Sequence, residues 1–203
     1  MNVELIDRLR CPNAHEETWL VAAASRTGPR RLIEATLGCP VCNAEFEVRD
    51  GAVIFGAARD TAAMPAGEDE AMRAAALLHV QERGLYLLDG GWGSLAPALL
   101  ALLPADYLLV DPPRDVAADE GISVLVGPGD RWPLAAASLQ GIALAAASAA
   151  RLEGAVRLLK LRGRLVAPVG LPVPAGMHEL ARDERHWVAE KAADVVTLGR
   201  ARR

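Results

Sequence analysis

Two cysteine-proline pairs constrain the first fifty residues of this chain. Cys11 is followed by proline, and the second pair lies in the turn Cys39–Cys42. Such a turn brings two thiolates to one metal ion, because proline presets it and Asn43 tolerates the left-handed conformation that follows. In the first turn Ala14 stands where a thiolate would be expected, but the imidazole of His15 can reach the same vertex. The sequence therefore predicts a zinc site with the ligands Cys11, His15, Cys39 and Cys42.

An interpretation without metal stays open at this point, because buried cysteines also pack as small apolar groups. The N-terminal segment would then be a metal-free ribbon, and the imidazole of His15 would face solvent. All three cysteines of the chain fall in the two turns, and this clustering favours a shared metal ion.

The length and net charge of the chain limit the classes of function that it can have. A chain of 203 residues exceeds a usual single core, so we expect two domains. No apolar run reaches the roughly 18 residues of a membrane span, and residues 1–4 show no secretory pattern. We therefore expect a cytoplasmic protein without membrane association, in a reducing compartment that suits metal-bound cysteines. The net charge is −4 and the basic residues are scattered, so a nucleic-acid surface is not indicated.

Residues 57–67 are typical of a linker, because they are mostly small, include a proline and lack apolar periodicity. They predict a boundary between a domain of residues 1–56 and a domain of residues 68–203. The first domain is predicted to contain a short helix over 3–9, strands over 19–24 and 31–37, and a hairpin over 45–54 that turns at Asp50 and Gly51.

The segments Leu37–Cys42 and Glu45–Ile54 resemble the zinc ribbon of the tRNA-methyltransferase-activator (Trm-one-twelve-like) family. The resemblance covers about the first 55 residues. It implies a small, mostly β zinc ribbon that stabilises or activates methyltransferases by packing against their Rossmann-type domain. The chain departs from the family pattern at Ala14, where a cysteine is missing.

The second domain opens with a predicted helix over 68–82, whose N-terminal acids suit the positive end of the helix dipole. Next come a strand over 85–88, a glycine turn over 89–93, a helix over 96–103 capped by Ser94, and a strand over 107–110. Asp111 follows this last strand, about twenty residues after the glycines. An acid at that strand tip is where a Rossmann fold holds ribose hydroxyls.

This arrangement resembles class I S-adenosylmethionine-dependent methyltransferases, whose first motif is an acid followed by alternately spaced glycines. The resemblance covers roughly residues 73–170, with further strands over 124–126 and 141–146 and a helix, glycine turn and fifth strand over 155–166. It implies an α/β fold with a compact, mainly parallel Rossmann-type sheet and an antiparallel C-terminal edge. The residues that it implies at the cofactor are Asp89, Gly91, Gly93, Asp111 and, near the adenine, Asp130.

Two bulky residues interrupt the glycine motif. Leu95 stands at the third glycine position, and Trp92 lies between Gly91 and Gly93. Glycines in this turn let the cofactor approach the backbone, so we expect both bulky side chains to fill space that the methionine end of S-adenosylmethionine needs. The alternative is that the retained glycines serve only the packing of a strand-helix turn.

No catalytic group is assigned. The predicted end of the fourth strand carries no carboxylate or amide, and the histidines lie outside any triad-like pattern. Residues 177–190 fit either one helix or a hairpin that turns near Asp183. We favour the hairpin, because such a sheet usually ends in an antiparallel pair and residues 194–198 are strand-like.

Two function hypotheses follow. The first is a zinc-binding pseudoenzyme, a catalytically impaired methyltransferase-like protein that acts through a protein partner, through a second copy of the chain, or through weak binding of S-adenosylmethionine. The second is an active S-adenosylmethionine-dependent methyltransferase with its activator domain in the same chain. A nucleic-acid-binding ribbon is a weaker third hypothesis, which salt-dependent binding would test.

Overall fold

One sheet of eleven strands runs through the residues that the computed structural model describes, 1–145 and 149–192. The strands are β1 Val21–Gly28, β2 Arg31–Gly38, β3 Glu45–Arg49, β4 Ala52–Ile54, β5 Leu85–Asp89, β6 Asp106–Val110, β7 Ile122–Val126, β8 Leu139–Ala143, β9 Leu159–Pro168, β10 Met177–Arg182 and β11 His186–Lys191. Their spatial order is β1-β2-β3-β4-β7-β6-β5-β8-β9-β11-β10. The α-helices are α1 Glu68–Leu78, α2 Ala96–Leu102 and α3 Ala149–Leu158, and 3-10 helices span Val3–Arg8 and Gly90–Leu95.

The first four strands form an antiparallel meander, which begins after the short N-terminal helix. The predicted hairpin between β3 and β4 is confirmed. It turns at Asp50 and Gly51, which both have positive φ angles, 48° and 79°. Two successive residues with positive φ match the twist of the flanking strands.

The fourth strand joins the N-terminal meander to the rest of the sheet. Val53 of β4 pairs with Leu125 of β7 in parallel register, and β7, β6, β5, β8 and β9 continue as a parallel block. The predicted α/β fold with a mainly parallel, Rossmann-like central sheet is therefore confirmed. The sheet is continuous across the boundary that the sequence predicts at residues 57–67.

The C-terminal edge is the hairpin β10–β11, and β11 runs antiparallel to β9. The carboxylate of Asp183 closes its turn by accepting hydrogen bonds from the backbone N–H groups of Arg185 and His186, each at 2.7 Å. The favoured hairpin is thus confirmed over a single helix. The strand expected over 194–198 lies outside the described residues.

Two helix predictions extend too far. The helix expected to reach Glu82 ends at Leu78, because His79 adopts a left-handed conformation with φ 52°. The helix within 155–166 ends at Leu158, because β9 begins at Leu159, which pairs with Leu139. Pairing with a neighbouring strand overrides the helical pattern of this segment.

The two faces of the sheet carry separate apolar clusters. One combines residues of the N-terminal meander, such as Leu37 and Val48, with residues of the parallel block, such as Leu87 and Ile142. The other lies under α1 and α2. No helix in the described part of the chain is long and apolar enough to cross a lipid bilayer.

Candidate functional site

Two buried carboxylates lie at the carboxyl ends of neighbouring parallel strands. Asp89 ends β5 and is fully buried, and Asp111 follows β6 with 2% of its surface exposed. The strands pair so that Asp89 lies opposite Val110, which places the two acids at the same edge of the sheet. These are the acids that the sequence predicts at the cofactor.

Arg59 binds both of these carboxylates. Its Nε donates to Oδ2 of Asp111 at 2.8 Å, and its Nη2 donates to Oδ1 of Asp89. Burial opposes the charge of Arg59, but the bonds to the two carboxylates outweigh it and raise its pKa above the ordinary value. A charge-assisted bond of this kind is stronger than one between neutral groups.

Arg151, from α3, supplies a second guanidinium. Its Nη2 donates to Oδ1 of Asp89 at 2.7 Å, and its guanidinium lies 4.0 Å from the ring centroid of Trp132. Burial lowers the pKa of Arg151, while the charge of Asp89 works in the opposite direction. Two carboxylates and two guanidiniums thus form a cluster without net charge.

The remaining carboxylate oxygens accept backbone hydrogen bonds. Oδ1 of Asp111 accepts from the N–H of Gly127 at 2.6 Å, and Oδ2 of Asp89 accepts from the N–H of Ala145 at 3.3 Å. Every oxygen of the acid pair therefore has a donor from within the chain. A ribose hydroxyl would therefore share these oxygens with donors of the chain or displace them.

The connecting segment, residues 57–67, reaches the acids because of the direction of β4. A strand parallel to β7 ends at the carboxyl edge of the sheet, and the chain must then cross the tips of β6 and β5 to reach α1. The start of the segment is fixed at β7, where the N–H of Phe55 donates to the carbonyl of Val126 at 2.9 Å. A Cβ added at Gly127 would lie 2.4 Å from the carbonyl carbon of Gly56, so the two backbones are in close contact.

The far end of the connecting segment is held by Ser94. The Oγ of Ser94 accepts a hydrogen bond from the N–H of Met64 at 3.2 Å. The predicted role of Ser94 as a helix cap is therefore wrong, since α2 begins at Ala96 and has no side-chain cap.

The connecting segment also covers the glycine turn. A Cβ added at Gly91 would lie 3.0 Å from both the carbonyl oxygen of Ala62 and Cγ of Met64. A Cβ added at Gly93 would lie 2.8 Å from Cβ of Pro112. The space at the Cβ position of each glycine is therefore occupied by the chain itself, by the connecting segment at Gly91 and by Pro112 at Gly93.

The two bulky residues of the glycine turn point into the core. Trp92 is 1% exposed, donates from Nε1 to the carbonyl of Leu144 at 3.1 Å, and contacts the ring of His186. Leu95 is fully buried in the cluster under α1 and α2. The sequence predicts that these two side chains fill the space of the cofactor. In the structure both are buried in the core, and residues of the connecting segment lie against Gly91 instead.

S-adenosylmethionine does not fit this arrangement as it stands. Asp111, which would bind the ribose, is bonded to Arg59, and Gly91 is covered by Ala62 and Met64. Asp130, expected near the adenine, is exposed in a cleft of about 420 Å³ that it lines together with Cys11 and His15. The residues of the motif are present, but their partners belong to the chain.

Sequence reasoning missed both arginines of this cluster. Arg59 is the single cation of a segment without periodicity, and its partners lie 30 and 52 residues away. The available signal was indirect: two acids predicted at adjacent buried strand tips require cations or hydrogen-bond donors nearby.

The four predicted metal ligands come together at the other site. The thiols of Cys11, Cys39 and Cys42 and an imidazole nitrogen of His15 all lie within 4.8 Å of one another. Tetrahedral zinc, with Zn–S of about 2.3 Å and Zn–N of about 2.0 to 2.1 Å, separates two thiolates by about 3.8 Å and a thiolate from an imidazole nitrogen by about 3.6 Å. The observed separations are 3.7 Å from Cys11 Sγ to Cys42 Sγ and 3.4 Å from Cys39 Sγ to His15 Nε2. The donor set therefore fits tetrahedral zinc.

Hydrogen bonds prepare two of these ligands for a metal. Nδ1 of His15 donates to the carbonyl oxygen of Glu16 at 2.6 Å, which leaves Nε2 with its lone pair directed at the cluster. The backbone N–H of Ala44 and the amide of Asn13 lower the pKa of Cys42 to about 6, so its thiolate prevails at neutral pH. Burial raises the pKa of Cys11 to about 11, a charge penalty that a bound cation would offset.

No protein-family model matches this sequence. No curated protein sequence matches it either. Solved structures do. A candidate S-adenosyl-L-methionine-dependent methyltransferase from Methanococcus maripaludis matches with a TM-score of 0.50 and 13% identity, over 65% of this chain and 88% of that one.

Two further matches have lower scores. A chain from the complex of the Haloferax volcanii Trm112 methyltransferase activator with a candidate methyltransferase has a TM-score of 0.47 and 16% identity, over 61% of this chain and 88% of that one. A candidate sarcosine dimethylglycine methyltransferase from Galdieria sulphuraria has a TM-score of 0.40 and 19% identity, over 49% of this chain and 45% of that one. On the first match and the parallel sheet described above, the fold of this chain is methyltransferase-like and Rossmann-type.

Proposed function

We propose that this chain is a zinc-binding, methyltransferase-like protein with impaired catalysis, and that it acts through contacts with other proteins. The observation that carries the proposal is the pairing of Arg59 with both Asp89 and Asp111. The sequence places these acids at the cofactor, with Asp111 at the ribose, and a guanidinium of the same chain engages them instead.

The net charge of the cluster supports this proposal, in addition to the contacts of Arg59. S-adenosylmethionine carries a net positive charge through its sulfonium, and a negative site favours it over water. The cluster of Asp89, Asp111, Arg59 and Arg151 is neutral, so it offers the sulfonium no net attraction.

Zinc binding is part of the proposal because the ligand separations match a tetrahedral ion. Zinc would link the turn at Cys11, which precedes β1, to the turn at Cys39, which connects β2 and β3. In a small meander such a link contributes folding free energy that the apolar core alone does not supply.

The exposed edge of the meander supports a protein partner. In the described part of the chain, β1 pairs only with β2, so its outer backbone groups are available to another strand. Trp19 and Val21 are 61% and 62% exposed beside this edge. Exposed apolar groups next to a strand edge are typical of a surface that binds protein.

The alternative function is an active S-adenosylmethionine-dependent methyltransferase with a fused activator domain. One observation favours it: the side chain of Arg59 is 40% exposed, whereas Asp89, Gly91, Gly93 and Asp111 are retained and buried. The blocking group is thus the most accessible member of the cluster.

Calorimetric titration of the complete, zinc-loaded chain with S-adenosylmethionine and S-adenosylhomocysteine separates the two functions. We expect dissociation constants above about 100 µM for both compounds. Micromolar binding that is lost in Asp111→Ala would overturn the proposal and establish the enzyme alternative. Sedimentation at several protein concentrations, compared with Val21→Arg, tests whether the partner at the β1 edge is a second copy of the chain.

A further inference from the structure

We infer that the connecting segment is an autoinhibitory strap, which shuts a latent nucleoside site by placing Arg59 on Asp89 and Asp111 and its backbone on the glycine turn. The inference rests on the proposed function only in treating these strand tips as the cofactor position. It adds that the site is blocked reversibly by one segment, rather than lost from the fold.

The block has two components. The first is electrostatic, because Arg59 occupies Oδ2 of Asp111 and shares Oδ1 of Asp89. The second is steric, because Ala62 and Met64 cover Gly91 and a methyl carbon of Thr61 would lie 3.5 Å from a Cβ at Gly90. These two components come from residues 57–67, while Pro112 lies against Gly93 and Ala145 lies against Gly90.

Both acids keep a partner other than Arg59. Asp89 keeps the guanidinium of Arg151, whose side chain is 4% exposed, and Asp111 keeps the N–H of Gly127. Arg151 belongs to the core, whereas Arg59 is 40% exposed on a segment whose residues lie mostly at the surface. Removal of Arg59 should therefore release the two acids without unfolding the site, and a ligand then has only the van der Waals contacts of Ala62 and Met64 to displace.

The opened site would also have the appropriate charge. Without Arg59, two carboxylates face one guanidinium, which leaves one net negative charge. Oδ2 of Asp111 can then accept a hydrogen bond from a ribose hydroxyl. A cationic adenosine derivative with a vicinal diol, such as S-adenosylmethionine, matches both features.

The attachment of the strap at both ends suggests how it would be released. Between the close contact of Gly56 with Gly127 and the bond of Met64 to Ser94, Arg59 makes the hydrogen bonds to the buried acids. Asp60 adds only an exposed ion pair with Arg114 at 3.9 Å. A partner that binds the exposed backbone of this segment would compete with one arginine and a few van der Waals contacts. Regulation by such a partner requires no rearrangement of the sheet.

The test compares S-adenosylmethionine binding by calorimetry in four forms of the complete, zinc-loaded chain: unmodified, Arg59→Ala, Arg59→Ala with Asp111→Ala, and Arg182→Ala. Arg182 is the matched control, because it pairs with Glu179 on the far edge strand and does not touch the strap. We expect Arg59→Ala to bind at least about tenfold more tightly than the unmodified chain. The double variant should lose that gain, and Arg182→Ala should behave as unmodified.

A folded Arg59→Ala variant that binds no more tightly than the unmodified chain would overturn the inference. If this variant does not fold, Arg59→Gln replaces it, because glutamine keeps a donor for Asp111 while removing the charge. Micromolar binding by the unmodified chain would instead contradict the proposed function. The two failures are thus distinguished within one set of titrations.

Discussion

Val53 of β4 lies opposite Leu125 of β7 in parallel register, and both side chains are fully buried. This pair joins the N-terminal meander to the methyltransferase-like sheet through backbone hydrogen bonds as well as apolar contact. It also sets the direction in which β4 ends, and therefore the path of the connecting segment over Asp111 and Asp89. The position of the strap is a consequence of this strand pairing.

The same pairing predicts that residues 68–203 are not stable alone. Without β4, β7 becomes an edge with unpaired backbone groups, and the apolar cluster shared with Leu37 and Val48 is opened to water. We expect the fragment to aggregate, or to melt at least about 10 °C below the complete chain, as a loss of several kcal/mol would produce. Circular dichroism melting and size-exclusion chromatography check this. A monomeric fragment that melts within a few degrees of the complete chain would contradict it.

The metal site gives a second prediction. The unmodified chain, purified without added metal, should contain about one equivalent of zinc by elemental analysis, because four donors lie within 4.8 Å of one another and two of their separations match tetrahedral zinc. Cys39→Ser should lose zinc and loosen residues 1–55, since Cys39 is 2% exposed at the centre of the cluster. His15→Ala tests whether the imidazole of His15 supplies the fourth ligand in place of a cysteine at position 14. A zinc content well below half an equivalent in the unmodified chain would refute the site.

The clustering of the four predicted ligands could be inferred from sequence because its signal is local. Cys39 and Cys42 lie in one turn, and His15 lies four residues after Cys11. The positions of the two acids in the second domain could be predicted equally well, because a strand, a glycine turn and a second strand specify where Asp89 and Asp111 lie. In both cases neighbouring residues determine the geometry.

The residues that block the expected cofactor position could not be predicted from the sequence in this way. Trp92 and Leu95 were expected to form the block, because they interrupt the glycine motif, but both side chains are buried in the core, and the atoms nearest to Gly91 belong to Ala62 and Met64. Arg59 forms it instead, through the parallel pairing of β4 with β7. That pairing joins two segments about seventy residues apart, and no local pattern predicts it.

The close contact between Gly56 and Gly127 yields a third prediction with a built-in control. Gly127 and Gly129 have φ angles of 60° and 64°, so alanine at either position carries a similar backbone strain, roughly 1 to 2 kcal/mol. A Cβ at Gly127 would lie 2.4 Å from a backbone atom of Gly56, whereas one at Gly129 meets nothing within 4 Å. Gly127→Ala should therefore lower the free energy of unfolding by more than Gly129→Ala.

Chemical denaturation of both variants measures this difference, and hydrogen exchange over residues 57–67 locates it. Exchange should rise in the connecting segment of Gly127→Ala and stay unchanged there in Gly129→Ala. Equal effects of the two substitutions on stability would show that the contact with Gly56 does not fix the start of the segment.

The last prediction concerns pH and the contact of His186 with Trp92, whose ring centroids are 5.0 Å apart. Burial, together with the nearby charges of Arg73 and Arg185, lowers the pKa of His186 below its usual 6.5, although Asp183 and Glu70 act in the opposite direction. The unfolded chain therefore takes up a proton at higher pH than the folded chain. Between those two pKa values the unfolded state binds more protons, so the free energy of unfolding falls as the pH drops below about 6.5.

We expect the melting temperature to fall between about pH 7.5 and about pH 5.5, and to fall less in His186→Asn, which cannot titrate in this range. His178→Asn is the matched control, because His178 lies on the neighbouring strand β10 and is exposed. This range lies above the region in which Asp183 contributes, since the backbone N–H groups of His186 and Arg185 hold the pKa of that carboxyl below its ordinary value. If His186→Asn and the unmodified chain lose the same stability over this interval, the protonation of His186 is not coupled to unfolding, and its contact with Trp92 is not sensitive to pH.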